Sequence, residues 1–481
     1  MLFWKRYPAL YVALLTLIGI ASAFFLPLMS LTLLFKKRLL WIIPLVVFTY
    51  VKLLYPILPT EDFGHAHFHI EEIKKHAGPV KTTLCYSGII KTFEGEKGTY
   101  RRLPARLYLP LNQKRVLANK DYLISGTLSE ISPGHYLLKP SKKTAWMPIE
   151  KTKSLAEWRY EKKQKVKKWI DSRFKDKKVR ILMTGLATGN LESRYLAYKF
   201  NAVGLQHLLA ISGFHFALLS FFLAFTLKRF LPEKILALSL ILLLSLYFFY
   251  MGGAPSISRA WIGVLIYLVG LLFHYRPTPL NAFGVALLAA LLFNPLILFH
   301  IGFQLSFGAT LGILLFYRPI ETFLQKLFPK RPYALLLKLS RIDQCGYLLC
   351  TYLRSVLALQ GAVLTFTLPL LLFHFQTFPL ASLFYNLFFP LLFSILLALF
   401  LLHLDFLTAP FAFFLITLIE NAPKKLLFAI TPLQTFLLIV PVILFLGIKK
   451  RSKIKFWILN YLGKFRQLLL SFIKSKIRRM H

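Results

Sequence analysis

Residues 204–215 read Gly-Leu-Gln-His-Leu-Leu-Ala-Ile-Ser-Gly-Phe-His, and the chain then stays apolar to Leu227. An apolar run of this length is typical of a membrane helix, and polar groups at that depth are costly unless they face a cavity or a partner. The run begins with a block that contains two histidines, a serine and two glycines. We therefore expect function to lie in the membrane region.

The composition of the whole chain also predicts a membrane protein. The chain has 481 residues, of which 57% are hydrophobic, and its mean hydropathy is +0.60, whereas soluble domains are roughly 45–50% apolar. The first apolar stretch lacks the small-residue exit of a cleavable signal peptide. We predict a polytopic α-helical protein, multi-pass in the cytoplasmic membrane, with a small extracytoplasmic β-barrel (OB-like) domain inserted near the N-terminus.

Hydropathy and charge divide the sequence into five parts. They are N-terminal membrane segments (1–58), a soluble domain (59–150), a basic amphipathic interfacial segment (151–200), the membrane core (201–448) and a basic amphipathic cytoplasmic tail (449–481). The net charge of +41 lies mostly outside the membrane core, which suits an anionic lipid surface or a polyanion such as nucleic acid. Basic clusters at 5–6 and 36–38 favour the cytoplasmic side and so place the soluble domain outside.

The soluble domain alternates apolar and more polar residues with a period of two. The runs 84–90, 103–109, 122–128 and 136–138 follow this pattern, which predicts several short strands in a small barrel or sandwich. At this size and basicity we favour an oligonucleotide-binding (OB) barrel. Tyrosines on these strands either offer stacking faces to bases or are ordinary strand residues; they are Tyr86, Tyr100, Tyr108, Tyr122 and Tyr136.

Polar residues inside the membrane core form the candidate site. Gly213 either continues a helix that puts Ser212 and His215 on one face or breaks that helix. Arg259 needs a partner or a wet path if it lies within the core. For the serines, glycines and amides the alternative is helix packing. The candidate residues are His207, Ser212, Gly213, His215, Ser256, Arg259, Gln304, Ser306 and Asn386.

Several of these residues carry a resemblance to the ComEC family of competence proteins. The resemblance implies that residues from about 183 to 448 form the competence domain of that family, and that residues 59–150 form its OB-type domain. It implies a channel that carries single-stranded DNA across the cytoplasmic membrane during natural transformation. The matching residues are Gly185, Gly204-Leu205, the block His207–Gly213, His215, Ser256, Arg259-Ala260, Phe303–Phe307, Phe378-Pro379, Asn386 and Pro390.

The resemblance also implies partners, and it has two departures. We expect membrane lipids around the chain, a DNA-receptor protein outside and a homo-oligomer. We also expect a helicase-like ATPase inside, because the sequence shows no Walker motif that could supply the energy. Phe214 and Phe216 stand where the family usually has smaller aliphatic residues. Many members continue into a metallo-β-lactamase-like domain proposed to degrade one DNA strand. The sequence resembles a short form without that domain, so we expect another protein to remove the strand.

Two other functions compete with DNA transport. A lipid or small-solute transporter would favour inverted repeats, and the sequence shows none. An intramembrane serine hydrolase would pair Ser212 with His215 or His207, but Ala210 occupies the place of the first glycine of a nucleophile elbow. We predict no enzyme, no catalytic residue and no cofactor.

One histidine pattern resembles a metal site. Imidazoles at His65, His67 and His69 alternate along one strand face, and imidazole suits zinc or copper. Alternating histidines near the start of a domain are more often incidental. We therefore expect no metal there.

Overall fold

The computed structural model describes residues 2–34, 41–55, 60–77, 82–110, 115–132, 134–141, 146–151, 155–209, 213–422 and 427–429. The fold is mostly helical, with one N-terminal sheet domain. The helices are α1 (Leu2–Arg6), α2 (Pro8–Phe24), α3 (Ile42–Leu54), α4 (Leu155–Arg173), α5 (Lys177–Thr188), α6 (Arg194–Ala202), α7 (Gln206–Leu209), α8 (Gly213–Leu227), α9 (Glu233–Met251), α10 (Pro255–Leu272), α11 (Pro279–Phe293), α12 (Ile301–Leu324), α13 (Tyr333–Leu336), α14 (Arg341–Phe375), α15 (Ala381–Leu401) and α16 (Asp405–Glu420).

The strands, and two short 3-10 helices at Leu26–Leu34 and Pro295–Phe299, complete the described elements. The end of the predicted membrane core and the predicted tail 449–481 lie outside the described residues, as does Ser212. The strands are β1 (Glu61–Ala77), β2 (Thr82–Gly95), β3 (Thr99–Pro110), β4 (Lys120–Ser132), β5 (His135–Pro140), β6 (Met147–Lys151), β7 (Thr377–Pro379) and β8 (Leu427–Ala429).

Six strands form the sheet domain in the order β1–β2–β3–β5–β4–β6, and β1 pairs with β4 as well. This ring of pairings is uneven. The β1–β2 ladder runs from Gly64–Gly95 to Ala77–Thr82, whereas β3 and β5 are joined only at Ala105–Tyr136 and Arg106–Leu137. The four alternating runs of the sequence lie in β2, β3, β4 and β5, so those strand predictions are confirmed.

Apolar side chains on the inward face of each strand form the core of the sheet domain. Alternate residues of a strand share one face, and three of the candidate tyrosines fall on the buried one. Tyr86 and Tyr136 are fully buried and Tyr122 is only 8% exposed. For these three rings the alternative of ordinary strand residues therefore holds, because they pack with the aliphatic core. Tyr100 and Tyr108 are half-buried.

Five of the described helices, α9, α10, α12, α14 and α15, are long and apolar enough to cross a membrane. Shorter apolar helices lie in α2, α3, α8 and α11. α2 packs against α3 and α11, and α12 packs along α14. Many large apolar side chains on these helices are exposed, among them Leu242 at 61% and Phe384 at 64%. That is the surface expected of helices that face lipid.

The polar block 204–215 is shared between two described helices: α7 ends at Leu209, and Gly213 to His215 begin α8. Upstream of α7 the chain turns at Gly204, whose φ is +74°. A Cβ at Gly204 would lie 2.4 Å from Cβ of Ser382. Glycine is needed here both for the left-handed backbone and for the close approach of α15.

The predicted interfacial segment contains three helices, α4, α5 and α6. α4 contacts the sheet domain through β1 and the membrane helices through α9. It is therefore a connecting strut between the two parts of the molecule.

Candidate functional site

Arg259 lies at the centre of a polar cluster inside the helical part of the chain. Two glycines, Gly252 and Gly253, end α9, and α10 then begins with a proline, which is preorganised for a first helical turn. This break sets Arg259 in the second turn of α10. Its Nε donates a hydrogen bond to Oγ of Ser306 on α12 at 2.9 Å.

Gly213 completes this cluster by allowing the guanidinium to approach α8. A Cβ at Gly213 would lie 3.0 Å from an Nη atom of Arg259, so any larger residue would crowd the arginine. Three of the predicted site residues, Gly213, Arg259 and Ser306, are thus brought together from three helices. We call them the Arg259 cluster.

The charge of Arg259 is not neutralised by a carboxylate in the described part of the chain. Its hydrogen bond to Ser306 occupies one of the five N–H donors of a guanidinium. A cation held among apolar helices with unused donors is suited to a phosphate, which it can bind in a bidentate manner. The arrangement can therefore bind an anion within the helical bundle.

Gln304 lies on another side of α12 from Ser306. Two residues along a helix are separated by about 200°, so the two side chains point to different neighbours. Oε1 of Gln304 contacts Nε2 of His374 on α14 at 2.6 Å, and its Nε2 donates to the carbonyl of Leu298 at 2.9 Å. His374 is not among the candidates predicted from the sequence, although it is a single histidine between Phe373 and Phe375 in an apolar run.

The remaining described candidates lie on four helices, α7, α8, α10 and α15. His207 is exposed, and a ring nitrogen lies 3.2 Å from the carbonyl of Gly204. His215 is 5% exposed on α8, and Ser256 lies one turn before Arg259 on α10. Asn386 lies on α15, and its Oδ1 is buried without a hydrogen-bond partner among the described groups.

Basic side chains of α4 bind the C-terminal end of α9. Nε of Arg159 donates to the carbonyl of Phe249 at 2.6 Å, and Nζ of Lys163 donates to the carbonyl of Met251 at 3.0 Å. The last carbonyls of a helix lack partners within it and carry its negative dipole end, so cations are favoured there. Nζ of Lys163 also lies 3.8 Å from Oε1 of Glu72 at the end of β1. We call this the α4–α9 joint.

Burial lowers the pKa of Lys163. The residue is 9% exposed, and burial lowers its pKa from 10.5 to about 8, although the nearby Glu72 carboxylate acts in the opposite direction. Sequence reasoning did not find this joint, because a lysine in a basic amphipathic helix is expected to be solvated.

The histidines of β1 have protein partners. Nε2 of His67 and Nδ1 of His69 contact the two oxygens of Asp121 at 3.0 Å and 2.7 Å, and Nδ1 of His65 lies 2.9 Å from Oγ of Ser125. Nζ of Lys91 lies 2.6 Å from the same Asp121 carboxylate, which is fully buried. In the described chain no group of three or more His, Cys, Asp or Glu is placed to hold a metal ion.

The pKa of Asp121 reflects these contacts. Burial raises it, but hydrogen bonds from Lys91, His69 and His67 outweigh burial and bring it below its usual value. The carboxylate is therefore ionised at neutral pH and holds the three basic groups in place.

The fold defines a multi-pass membrane protein, and in the described part of its helical bundle no carboxylate neutralises Arg259. A family model described as Competence protein matches residues 190–449. This is more than half of the chain, so the chain belongs to that competence protein family, as the resemblance to ComEC predicted.

One curated relative shows the same kinship. The chain is 31% identical over 187 residues to ComE operon protein 3 of Bacillus subtilis (strain 168). The match covers 38% of this chain and 20% of the relative, so the chain spans about a fifth of the length of that protein. No solved structure matches the chain.

Proposed function

We propose that the chain translocates single-stranded DNA across the cytoplasmic membrane during natural transformation. Membership of the competence family supports a role in DNA uptake, and the observation that carries the finer proposal is the Arg259 cluster. A DNA strand brings one phosphate per nucleotide, and a phosphate cannot enter hydrocarbon without polar partners. An arginine with spare donors inside the bundle supplies such a partner.

Other polar residues extend the proposed path from this cluster. Ser306 and Gln304 on α12 offer hydroxyl and amide groups in place of water, and Asn386 on α15 has a buried oxygen without a protein partner. His207, Ser212, His215 and Ser256 belong to the same proposal, since they precede or begin the helices that carry the cluster. The chain acts in it as a channel and has no catalytic role.

The sheet domain receives the strand in this proposal. The pairings β1–β2–β3–β5–β4 return to β1, which supports an OB-like barrel, and its basic surface would neutralise phosphates outside the membrane. Tyr100 and Tyr108 are the strand tyrosines that retain some exposure, so they are the proposed stacking faces.

Energy and strand selection come from partners. The proposal includes a helicase-like ATPase inside, a DNA receptor outside and a second protein that removes the complementary strand. It also includes surrounding lipids and a homo-oligomeric channel. None of these functions requires a cofactor in this chain.

The test is uptake of labelled DNA by a deletion strain that carries either the wild-type chain or the Arg259→Ala variant. Loss of a hydrogen bond to a charged group costs about 1.5–3 kcal/mol, so we expect uptake into the cytosol to fall about 10- to 100-fold. Arg276→Ala is the matched control, because Arg276 is exposed just beyond the other end of α10. Immunoblots of membranes check that the three chains are present in equal amounts.

Two results would contradict the proposal. Normal uptake with Arg259→Ala would show that the arginine does not contribute to the path of the strand. Normal uptake in the deletion strain itself would show that DNA is not the substrate, and it would favour transport of a lipid or small solute.

A further inference from the structure

A cavity of about 520 Å³ lies between the sheet domain and the helices. This volume falls within the roughly 300–1,000 Å³ of ligand sites. We propose that the cavity binds the phosphate headgroup of an anionic phospholipid.

The position of the cavity suits a headgroup. Two apolar helices end at it, since α3 ends at Leu54 and α11 at Phe293. Tyr50 and Tyr55 stand at the end of α3, and tyrosines are enriched at the boundary between lipid and water. The cavity therefore lies where apolar helices give way to a polar domain.

The two walls of the cavity differ in character. On the helix side Leu292 is 57% exposed and Phe293 is 91% exposed, so both present apolar surface of the kind that packs against acyl chains. On the sheet side the wall is basic, with Lys91, Arg102 and His69. No carboxylate is among the lining residues. A molecule with an anionic head and an apolar tail matches both walls.

The two cations, Lys91 and Arg102, lie at positions that are unfavourable in a sheet. Lys91 on β2 and Arg102 on β3 lie between the paired residues Ile90–Leu103 and Thr92–Arg101, and both line the cavity. Like charges opposite one another in a sheet repel. Arg102 also has a φ of +54°, a left-handed conformation that is strained for a residue with a side chain. A bound anion between the two side chains would offset the repulsion, and strained backbone tends to cluster at ligand sites.

Asp121 pairs with only one of these two cations. Its carboxylate contacts Lys91 at 2.6 Å, but it also binds His67 and His69, and no ion pair to Arg102 is found among the described residues. Arg102 therefore keeps its guanidinium available for the phosphate, and Lys91 is held in position beside it.

The experiment is native mass spectrometry of the full chain purified in detergent, with phosphatidylglycerol or phosphatidylcholine of the same acyl chains added. We expect preferential binding of phosphatidylglycerol. A basic residue near an anionic lipid surface contributes about 1 kcal/mol, or about fivefold in affinity, so Arg102→Gln should weaken that binding about fivefold. Arg101→Gln is the matched control, because Arg101 is an exposed arginine of the same strand that does not line the cavity, and it should leave binding unchanged.

A second variant separates loss of the site from loss of the fold. Glycine adopts a positive φ without strain, so Arg102→Gly should leave the melting temperature of the lipid-free chain unchanged or raise it, while it weakens phosphatidylglycerol binding as Arg102→Gln does. A lowered melting temperature together with lost binding would instead attribute the loss to misfolding and overturn the assignment.

Competition distinguishes the source of the phosphate. Neither millimolar inorganic phosphate nor a 20-nucleotide single strand should displace phosphatidylglycerol. Displacement by the oligonucleotide would assign the cavity to nucleic acid, and displacement by phosphate would assign it to the free ion. Equal binding of the two lipids, or equal loss with Arg101→Gln, would also overturn the proposal.

Discussion

Replacement of Lys163 by methionine tests the α4–α9 joint. The pKa of Lys163 falls from 10.5 to about 8 on folding, and this difference corresponds to about 3 kcal/mol. Below pH 8 the ammonium is charged in both states, and the folded state carries the full cost of its burial. Between pH 8 and 10.5 the folded chain releases the proton while the unfolded chain retains it, so stability rises with pH.

The wild type should therefore gain stability relative to Lys163→Met as the pH rises from 7 to above 10. The assay is thermal unfolding of the purified full chain in detergent at several pH values, with the difference in melting temperature between the two chains as the readout. A gain of about 3 kcal/mol corresponds to a relative shift on the order of 5 °C. Taking the difference cancels the other lysines, which titrate equally in both chains.

Lys162→Met is the control, because Lys162 is an exposed lysine next to Lys163 on the same helix. Its difference from the wild type should not change with pH. If the melting temperatures of the wild type and Lys163→Met change equally with pH, then Lys163 is not a buried ammonium at the α4–α9 joint.

Three further predictions concern single side chains. Asp121→Asn should increase amide hydrogen exchange in peptides that cover β1, because it removes the carboxylate that binds two histidines and a lysine; unchanged exchange would contradict that role. Gly204→Ala should lower the free energy of unfolding by about 1 kcal/mol or more, since the added methyl would lie 2.4 Å from Ser382, and the melting temperature should fall accordingly. The control Gly263→Ala, whose methyl meets nothing within 4 Å, should leave the melting temperature unchanged. Burial, together with nearby positive charge, lowers the pKa of His135 to about 4. The wild type should therefore lose stability relative to His135→Phe as the pH falls from 6.5 to 4. If the melting temperatures of the two chains change equally with pH, this prediction is wrong.

The sheet and the long membrane helices follow from periodicity and were predictable. β2 to β5 alternate apolar and polar residues because one face of each strand is buried, and hydropathy alone identifies α9, α10 and α15. β1 was harder to predict, since histidines, glutamates and lysines are scattered along its 17 residues and give no clear alternation.

The side-chain clusters were only partly predictable. Arg259 and Ser306 stand out because a polar residue is rare in an apolar run, and the structure places them in contact. The approach of Gly213 to Arg259 depends on how α8 packs against α10, and the pairing of Gln304 with His374 depends on how α12 packs against α14. No local pattern specifies either. Asp121 looked like an ordinary polar residue before a strand, and only the fold shows that it is fully buried.

The length of α14 has a mechanical consequence. Its 35 residues span about 52 Å at 1.5 Å per residue, and even a tilt of about 40° leaves about 40 Å along the membrane normal, more than the roughly 30 Å of hydrocarbon. Part of the helix must therefore stand outside the bilayer. Because α14 packs along α12, a displacement of the part outside the bilayer would reach the helix that carries Ser306 and Gln304.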